Sequence, residues 1–167
     1  MVLLPLYVVF SLSPSLEKYV ATDTETHAAQ VANYLSSALF DSDEISSRTL
    51  PDDIEQIVAA ARNDFNLLKI KLFSALGEVI YSTNPEDVGK INRNDYFHKI
   101  VASGQAFSKV VQKETASLEG QVFKADVVEA YVPLMQNGKF IGAFEIYYDI
   151  TAQVEKLHGL TVGFYRT

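Results

Sequence analysis

Two short stretches carry the residues best suited to chemistry. In VEAYV (128–132) and FEIYY (144–148) a glutamate stands two positions before a tyrosine, Glu129 before Tyr131 and Glu145 before Tyr147. Successive side chains of a strand point to opposite faces, so residues two apart share one. Each glutamate therefore shares a face with its tyrosine. A carboxylate accepts hydrogen bonds or pairs with a cation, and a phenol donates one, so such a face can grip the polar groups of a small molecule. The opposite faces are apolar, with Val128, Ala130, Val132 and Leu134 on the first stretch and Phe140, Gly142, Phe144, Ile146, Tyr148 and Ile150 on the second. Asn137-Gly138 between them suits a tight hairpin turn, which makes the two runs antiparallel neighbours. Glutamates on a sheet face also serve as solvated cross-strand partners of lysines such as Lys109, whereas a buried tyrosine hydroxyl needs a partner. A ligand pocket and a hydrated surface are thus both open readings of this face.

The elements that position it follow from hydrophobic periodicity. From Ser15 to about Phe40 the pattern is helical, with Leu16, Val20, His27, Val31, Tyr34, Leu35, Ala38 and Leu39 at three- and four-residue steps and Pro14 at the start. A second helix opens at Pro51, with Asp52 and Asp53 near its positive end and Ile54, Ile57, Val58, Ala61 and Phe65 as its stripe. After Asn66 the period falls to two. LLKIKLF (67–73) sets Leu68, Ile70 and Leu72 against Lys69 and Lys71, and EVIYS (78–82) returns after Gly77 as a hairpin. An Asn-rich loop leads to a short helix capped by Asn94, with Phe97, Ile100 and Val101 inward and Gly104 at its end. A strand at 106–114, a loop, the two glutamate-bearing strands and a helix from Thr151 complete the chain. This order predicts an α+β fold with a five-stranded antiparallel sheet. The long N-terminal helix covers the apolar face. The loop and short helix cover the face of Lys69, Lys71, Lys109, Glu129, Tyr131, Glu145 and Tyr147, enclosing a pocket.

Composition removes several alternatives. The 167 residues make one domain, and a net charge of −7 with a pI near 4.9 leaves no basic patch for nucleic acid. There is no cysteine, so neither a disulfide framework nor a thiolate site. His27, His98 and His158 lack carboxylates at ligand spacing. DSDEISSRTLPD begins like a calcium loop but has Ser46 at the glycine position and Asp52 at that of the bidentate glutamate. No catalytic serine elbow or phosphate-binding glycine loop occurs, so neither an enzyme nor a cofactor is expected. The apolar MVLLPLYVVF is shorter than the roughly 20 residues of a membrane span. It reads either as the outer end of a membrane anchor or as a tail packed on the domain.

Three segments in order carry a family likeness: the long first helix, LFSALGEVIYSTNPEDVGKINRNDYF (72–97) and YVPLMQNGKFIGAFEIYYDIT (131–151). Together they resemble the extracytoplasmic Cache (PAS-like, single-module PDC) sensor domains of bacterial receptors, those of histidine kinases and diguanylate cyclases in particular. The resemblance implies a domain over 15–158, an apolar segment at 1–14 and a tail at 159–167 running toward a second membrane segment. It implies a periplasmic sensor in an inner-membrane protein that takes part in signal transduction, for example in a two-component system. Such domains hold a small ligand between the sheet and the covering segment. Carried onto this chain, an arginine and an aromatic that grip a carboxylate fall on Arg93 and Tyr96. The position of the family's amine-holding aspartate falls on Tyr147, with Glu145 two residues before it and Asp149 at the strand end. A carboxylate-bearing metabolite is the expected ligand, bound by Arg93, Tyr96, Lys109, Glu129, Tyr131, Glu145 and Tyr147, with an amino acid or amine as the runner-up. A homodimer through the N-terminal helix is expected as well. The competing reading is a ligand-free structural and dimerisation module.

Overall fold

The computed structural model describes residues 3–40 and 45–156, with side chains from Lys18 onward. The expected tail 159–167, His158, the acidic residues 41–44 and the side chain of Leu16 lie outside the described residues. A long helix α1 (Leu3–Leu39) and a second helix α2 (Ile54–Phe65) precede the strands β1 (Leu67–Ser74), β2 (Val79–Ser82), β3 (Phe107–Val111), β4 (Val127–Gln136) and β5 (Lys139–Asp149). Between β2 and β3 come a 3-10 turn (Pro85–Asp87), the short helix α3 (Asp95–Lys99) and a second 3-10 turn (Val101–Ser103). All pairings are antiparallel, in the order β2-β1-β5-β4-β3. This is the expected α+β, PAS-like sheet. β5 takes its centre, which places Glu145 and Tyr147 far from either edge.

The face toward α1 and α2 holds the main apolar core. Ala28, Val31, Ala32, Leu35 and Leu39 of α1, with Ile54, Val58 and Ala61 of α2, pack on Ile70, Leu72, Val128, Ala130, Val132, Phe144 and Ile146. Each larger aliphatic chain so buried contributes about 2 kcal/mol. The stripe of α1 differs from the expected one, because His27, Tyr34 and Ala38 are exposed while Thr24, Ala28 and Ala32 are buried. Small Ala28 and Ala32 allow the helix close to the sheet, and the Thr24 hydroxyl is satisfied by the Val20 carbonyl at 2.7 Å. The helix also begins at Leu3 rather than at Pro14. A proline removes one intrahelical hydrogen bond, and the leucines on its N-terminal side are good helix formers that continue the helix beyond it. Among the described residues no helix is long and apolar enough to cross a membrane.

Strict alternation fails at two bulges. In β1, Leu67 faces Tyr148 and Lys69 faces Tyr147, so Leu68 is extra and joins the lysine face against Tyr147 instead of the face of Ile70. In β5, Leu134 faces Gly142 and Met135 faces Phe140, leaving Ile141 extra. Phe140 therefore packs against Phe97 on the polar side, 5.9 Å between ring centres, and Ile141 joins the helix-side core. One inserted residue sends every side chain beyond it to the opposite face.

Candidate functional site

β4 and β5 pair with Tyr131 opposite Glu145 and Glu129 opposite Tyr147. Each glutamate thus has one tyrosine two residues along its own strand and another across the ladder. All four side chains are fully buried. The Tyr131 hydroxyl lies 2.9 Å from Glu129 Oε1, 2.8 Å from Glu145 Oε1 and 3.0 Å from the Tyr96 hydroxyl. The Tyr147 hydroxyl lies 3.2 Å from Glu129 Oε1 and also bonds Glu145 Oε1. These are five contacts, and the three phenols bring one hydrogen each. A proton kept on Glu129 supplies a fourth. Burial and the adjacent Glu145 charge push the Glu129 carboxyl up to about 7, against the pull of the Leu118 N–H. Desolvation and the two carboxylates also push the Tyr131 and Tyr147 phenols up, so both keep their protons.

Two segments close the group off from water. Tyr96 of α3 stacks on Phe107 at 5.1 Å and accepts a hydrogen bond from Asn92 Nδ2 at 3.0 Å. On the other side the β3–β4 loop, residues 112–126, lies over the sheet. Its Leu118 N–H donates to Glu129 Oε2 at 2.9 Å, and the Phe123 ring sits 5.0 Å from that of Tyr147. The Asn-rich loop is tied to the β1–β2 turn, where Asn92 N–H donates to the Gly77 carbonyl at 2.8 Å. Gly77 has φ +84°, and a Cβ there would meet the Asn92 carbonyl oxygen at 2.8 Å. Only glycine permits both the turn and this approach.

Beside the buried group opens a cleft of about 550 Å³, lined by Lys69 and Lys71 of β1, by Asn84, Asp87, Lys90, Asn92 and Asn94 of the Asn-rich loop, and by Glu119 and Gln121 of the β3–β4 loop. Its size suits a small metabolite. The Lys69 and Lys71 side chains are only 7% and 3% exposed, which requires partners for both charges. Lys69 Nζ lies 2.5 Å from Asp87 Oδ2, donates to Gln121 Oε1 at 2.7 Å and sits 5.6 Å from the centre of the Tyr147 ring. Lys71 Nζ lies 3.1 Å from Glu145 Oε2, 3.9 Å from Asp87 Oδ2 and in contact with Glu119 Oε2. Burial raises the Asp87 carboxyl, but hydrogen bonds from Lys69 and Lys90 and the charge of Lys71 outweigh it and hold the group at about 2. Among the described residues no group of histidines and carboxylates is arranged to hold a metal ion.

No family model matches the sequence, and no curated protein does. Solved structures do match the fold. The sensor domain of E. coli DcuS aligns with a TM-score of 0.50 at 18% identity, over 81% of this chain and 98% of that one. The sensor domain of the V. cholerae histidine kinase DctB gives 0.55 at 14% identity, over 89% of this chain and 57% of that one. The sensory domain of the Campylobacter jejuni chemoreceptor Tlp3 with isoleucine bound gives 0.52 at 15% identity, over 94% and 64%. The fold is that of a Cache sensor domain. The chain spans nearly all of the first of these domains but less than two thirds of the other two.

Within this Cache fold, five of the expected site residues come together: Glu129, Tyr131, Glu145, Tyr147 and, through Tyr131, Tyr96. The structure does not bring Arg93 or Lys109 into the group. Arg93 is exposed between the cleft-lining Asn92 and Asn94. Lys109 faces Glu129 in register, but its side chain is exposed and makes no ion pair among the described residues. His98 is exposed, with Nε2 2.8 Å from the Asn92 carbonyl oxygen. Asp149 Oδ1 accepts the Thr151 N–H at 2.9 Å, a cap for the helix at 151–156. The residues left out of the expected site are Lys69 and Lys71 of the cleft and their loop partners Asp87, Glu119 and Gln121. Their signal was present in KIK, two lysines on one face of a strand that is otherwise apolar. Asp87 and Glu119 lie in aperiodic loops and gave no such signal.

Proposed function

We propose that the chain is the extracytoplasmic, periplasmic part of an inner-membrane signalling receptor and that its cleft binds a small metabolite through a carboxylate. The observation that carries this reading is the pair of buried ammonium groups, Lys69 and Lys71, in the wall of a cleft of about 550 Å³. An ammonium that has already lost its water binds an anion more strongly than one at the surface. In this reading Lys69 and Lys71 hold the carboxylate. Glu129, Tyr131, Glu145, Tyr147 and Tyr96 fix the floor beneath them, and Arg93, between the cleft-lining Asn92 and Asn94, stands at the rim. An amino acid is the runner-up, supported by Asp87 and Glu119 in the same cleft and by the Tlp3 domains solved with isoleucine and L-norvaline. Segments 1–14 and 159–167 lead to the membrane. The part of α1 around Leu16, Tyr19 and Val20 pairs with a second copy, and the 69% exposure of Tyr19 supports that contact.

One observation favours the ligand-free dimerisation module: the Glu–Tyr group is fully buried and its hydrogen bonds close on themselves. A thermal-shift screen of carboxylates, amino acids and amines separates the two readings. A ligand of the folded state adds about 2.7 kcal/mol at a hundred times its dissociation constant. A flat response across the panel sinks the sensor reading. A response to amines alone removes the carboxylate.

A further inference from the structure

We infer that the cleft is an exchange site for a single carboxylate group, and that Glu119 of the chain itself occupies it until a ligand takes its place. This rests on reading the cleft as the ligand site. Lys71 is fixed, because it lies mid-strand in β1 opposite Glu145 in the ladder and its side chain is 3% exposed. Of its carboxylate partners, Glu145 is equally fixed, being on the central strand. Glu119 is not. It sits at the tip of a small hairpin in the β3–β4 loop, closed by the Glu114 and Ser117 N–H groups donating to the carbonyls of Phe123 and Gln121, each at 2.8 Å. Its side chain is 22% exposed, and the adjacent Gly120 has open space about it. A dry ammonium facing a carboxylate on a loop tip has the geometry of a bound carboxylate ligand.

The tip is held mainly by polar contacts. Leu118 N–H bonds Glu129, Glu119 bonds Lys71, and Gln121 Oε1 accepts from Lys69, while Leu118 and, at the base of the hairpin, Phe123 add partly buried apolar surface. Hydrogen bonds of this kind exchange between partners at small net cost, so the tip can leave if an equivalent acceptor arrives. Charge fixes what that acceptor is. In the ion pairs of the cleft wall the ammonium groups of Lys69, Lys71 and Lys90 face the carboxylates of Asp87, Glu145 and Glu119, three against three. Withdrawing Glu119 leaves one positive charge, which one monocarboxylate restores. A dicarboxylate brings one negative charge too many.

The test uses sodium propionate as the probe, with sodium chloride at equal ionic strength as the control, read by thermal unfolding of the full chain. Glu119→Gln removes the internal competitor and is expected to lower the half-saturating propionate concentration at least tenfold. Lys71→Met, made in that background, is expected to abolish the response. Equal or weaker propionate binding by Glu119→Gln overturns the exchange while leaving the carboxylate reading intact. Absence of a response in both the original chain and Glu119→Gln overturns both. A stronger response to succinate than to propionate overturns the restriction to one carboxylate. Hydrogen exchange on the unaltered chain gives a second measure that needs no variant. Propionate is expected to speed exchange of the Leu118 amide, and unchanged protection there counts against displacement of the tip.

Discussion

Folding stability is expected to fall as pH rises through the range where most acidic proteins are comfortable, and Glu129 is the reason. Its carboxyl has a pKa of about 7 in the folded chain against an ordinary value of 4.5, so the folded state binds a proton that the unfolded state has already released. The stabilisation is fully present below pH 4.5 and is lost progressively as pH rises to 7. At about 1.4 kcal/mol per pH unit it amounts to about 3 kcal/mol. For a chain of this size that is about 6–12 °C in melting temperature. Asp87 acts in the opposite sense. Its carboxyl lies at about 2 rather than 3.8, so its contribution is present above pH 3.8 and fades on further acidification. Stability should therefore peak between about pH 4 and 5. The assay is urea unfolding at pH 4.5, 6 and 7.5 for the native sequence and for Glu129→Gln. The glutamine matches the protonated acid in shape, can accept from Leu118 N–H with its oxygen and can donate toward Glu145. Its stability should lack most of the fall of about 3 kcal/mol between pH 4.5 and 7.5. General repulsion in a chain of net charge −7 affects both proteins alike, so the difference between them isolates the buried group. Equal slopes in the two proteins, or a flat profile for the native one, refute the shared proton.

Three further outcomes follow from single contacts. Gly142→Ala builds a Cβ into the Phe73 carbonyl oxygen of the neighbouring strand, so a loss of about 1–3 kcal/mol in urea unfolding is expected. Tyr131→Phe removes the hydroxyl that meets Glu129, Glu145 and Tyr96. Its expected cost is about 1–3 kcal/mol, and a neutral result shows that water can enter the group. Tyr19→Cys introduces the sole thiol of a chain without cysteine. Under mild oxidation the variant should yield a disulfide-linked dimer if the proposed pairing through α1 holds, and monomer alone argues against it.

The fold was legible because the strands keep an alternation that survives without knowledge of their partners. Ile70 and Leu72 against Lys69 and Lys71, and Ala130 and Val132 against Glu129 and Tyr131, fall on the faces that periodicity assigns. Leu68, Phe140 and Ile141 do not, because a bulge is a property of the pairing and leaves no mark in one strand's own pattern. The same distinction holds in the site. The two-residue spacing puts each glutamate on one face with the tyrosine of its own strand, but it is the bulge at Ile141, invisible in the sequence, that brings Glu145 opposite Tyr131 and Tyr147 opposite Glu129. Asp87 and Glu119 reach the lysines through loops whose path is set by tertiary contacts such as Asn92 to Gly77. His27 and Tyr34 fit a helical stripe as well as Ala28 and Ala32 do, and the requirement for close approach to the sheet decided between them.

The two faces of the sheet are held by different forces, and that difference suits one of them to signalling. On the α1 side the core is apolar and its attraction is non-directional. On the other side the desolvation cost of Lys69, Lys71, Glu129 and Glu145 is offset only by specific partners, so the net stabilisation of that arrangement is small. Several of those partners come from loops: Asp87, Gln121, Glu119 and the Leu118 N–H. A ligand shifts an equilibrium only through differential affinity for two arrangements, and a carboxylate that competes with Glu119 has such a difference built in. The loop that carries Glu119 continues directly from β3, and the Ser108 hydroxyl of β3 donates to Glu25 of α1 at 2.6 Å. The segment proposed to yield to a ligand is therefore joined, through one strand, to the helix that runs toward the N-terminus.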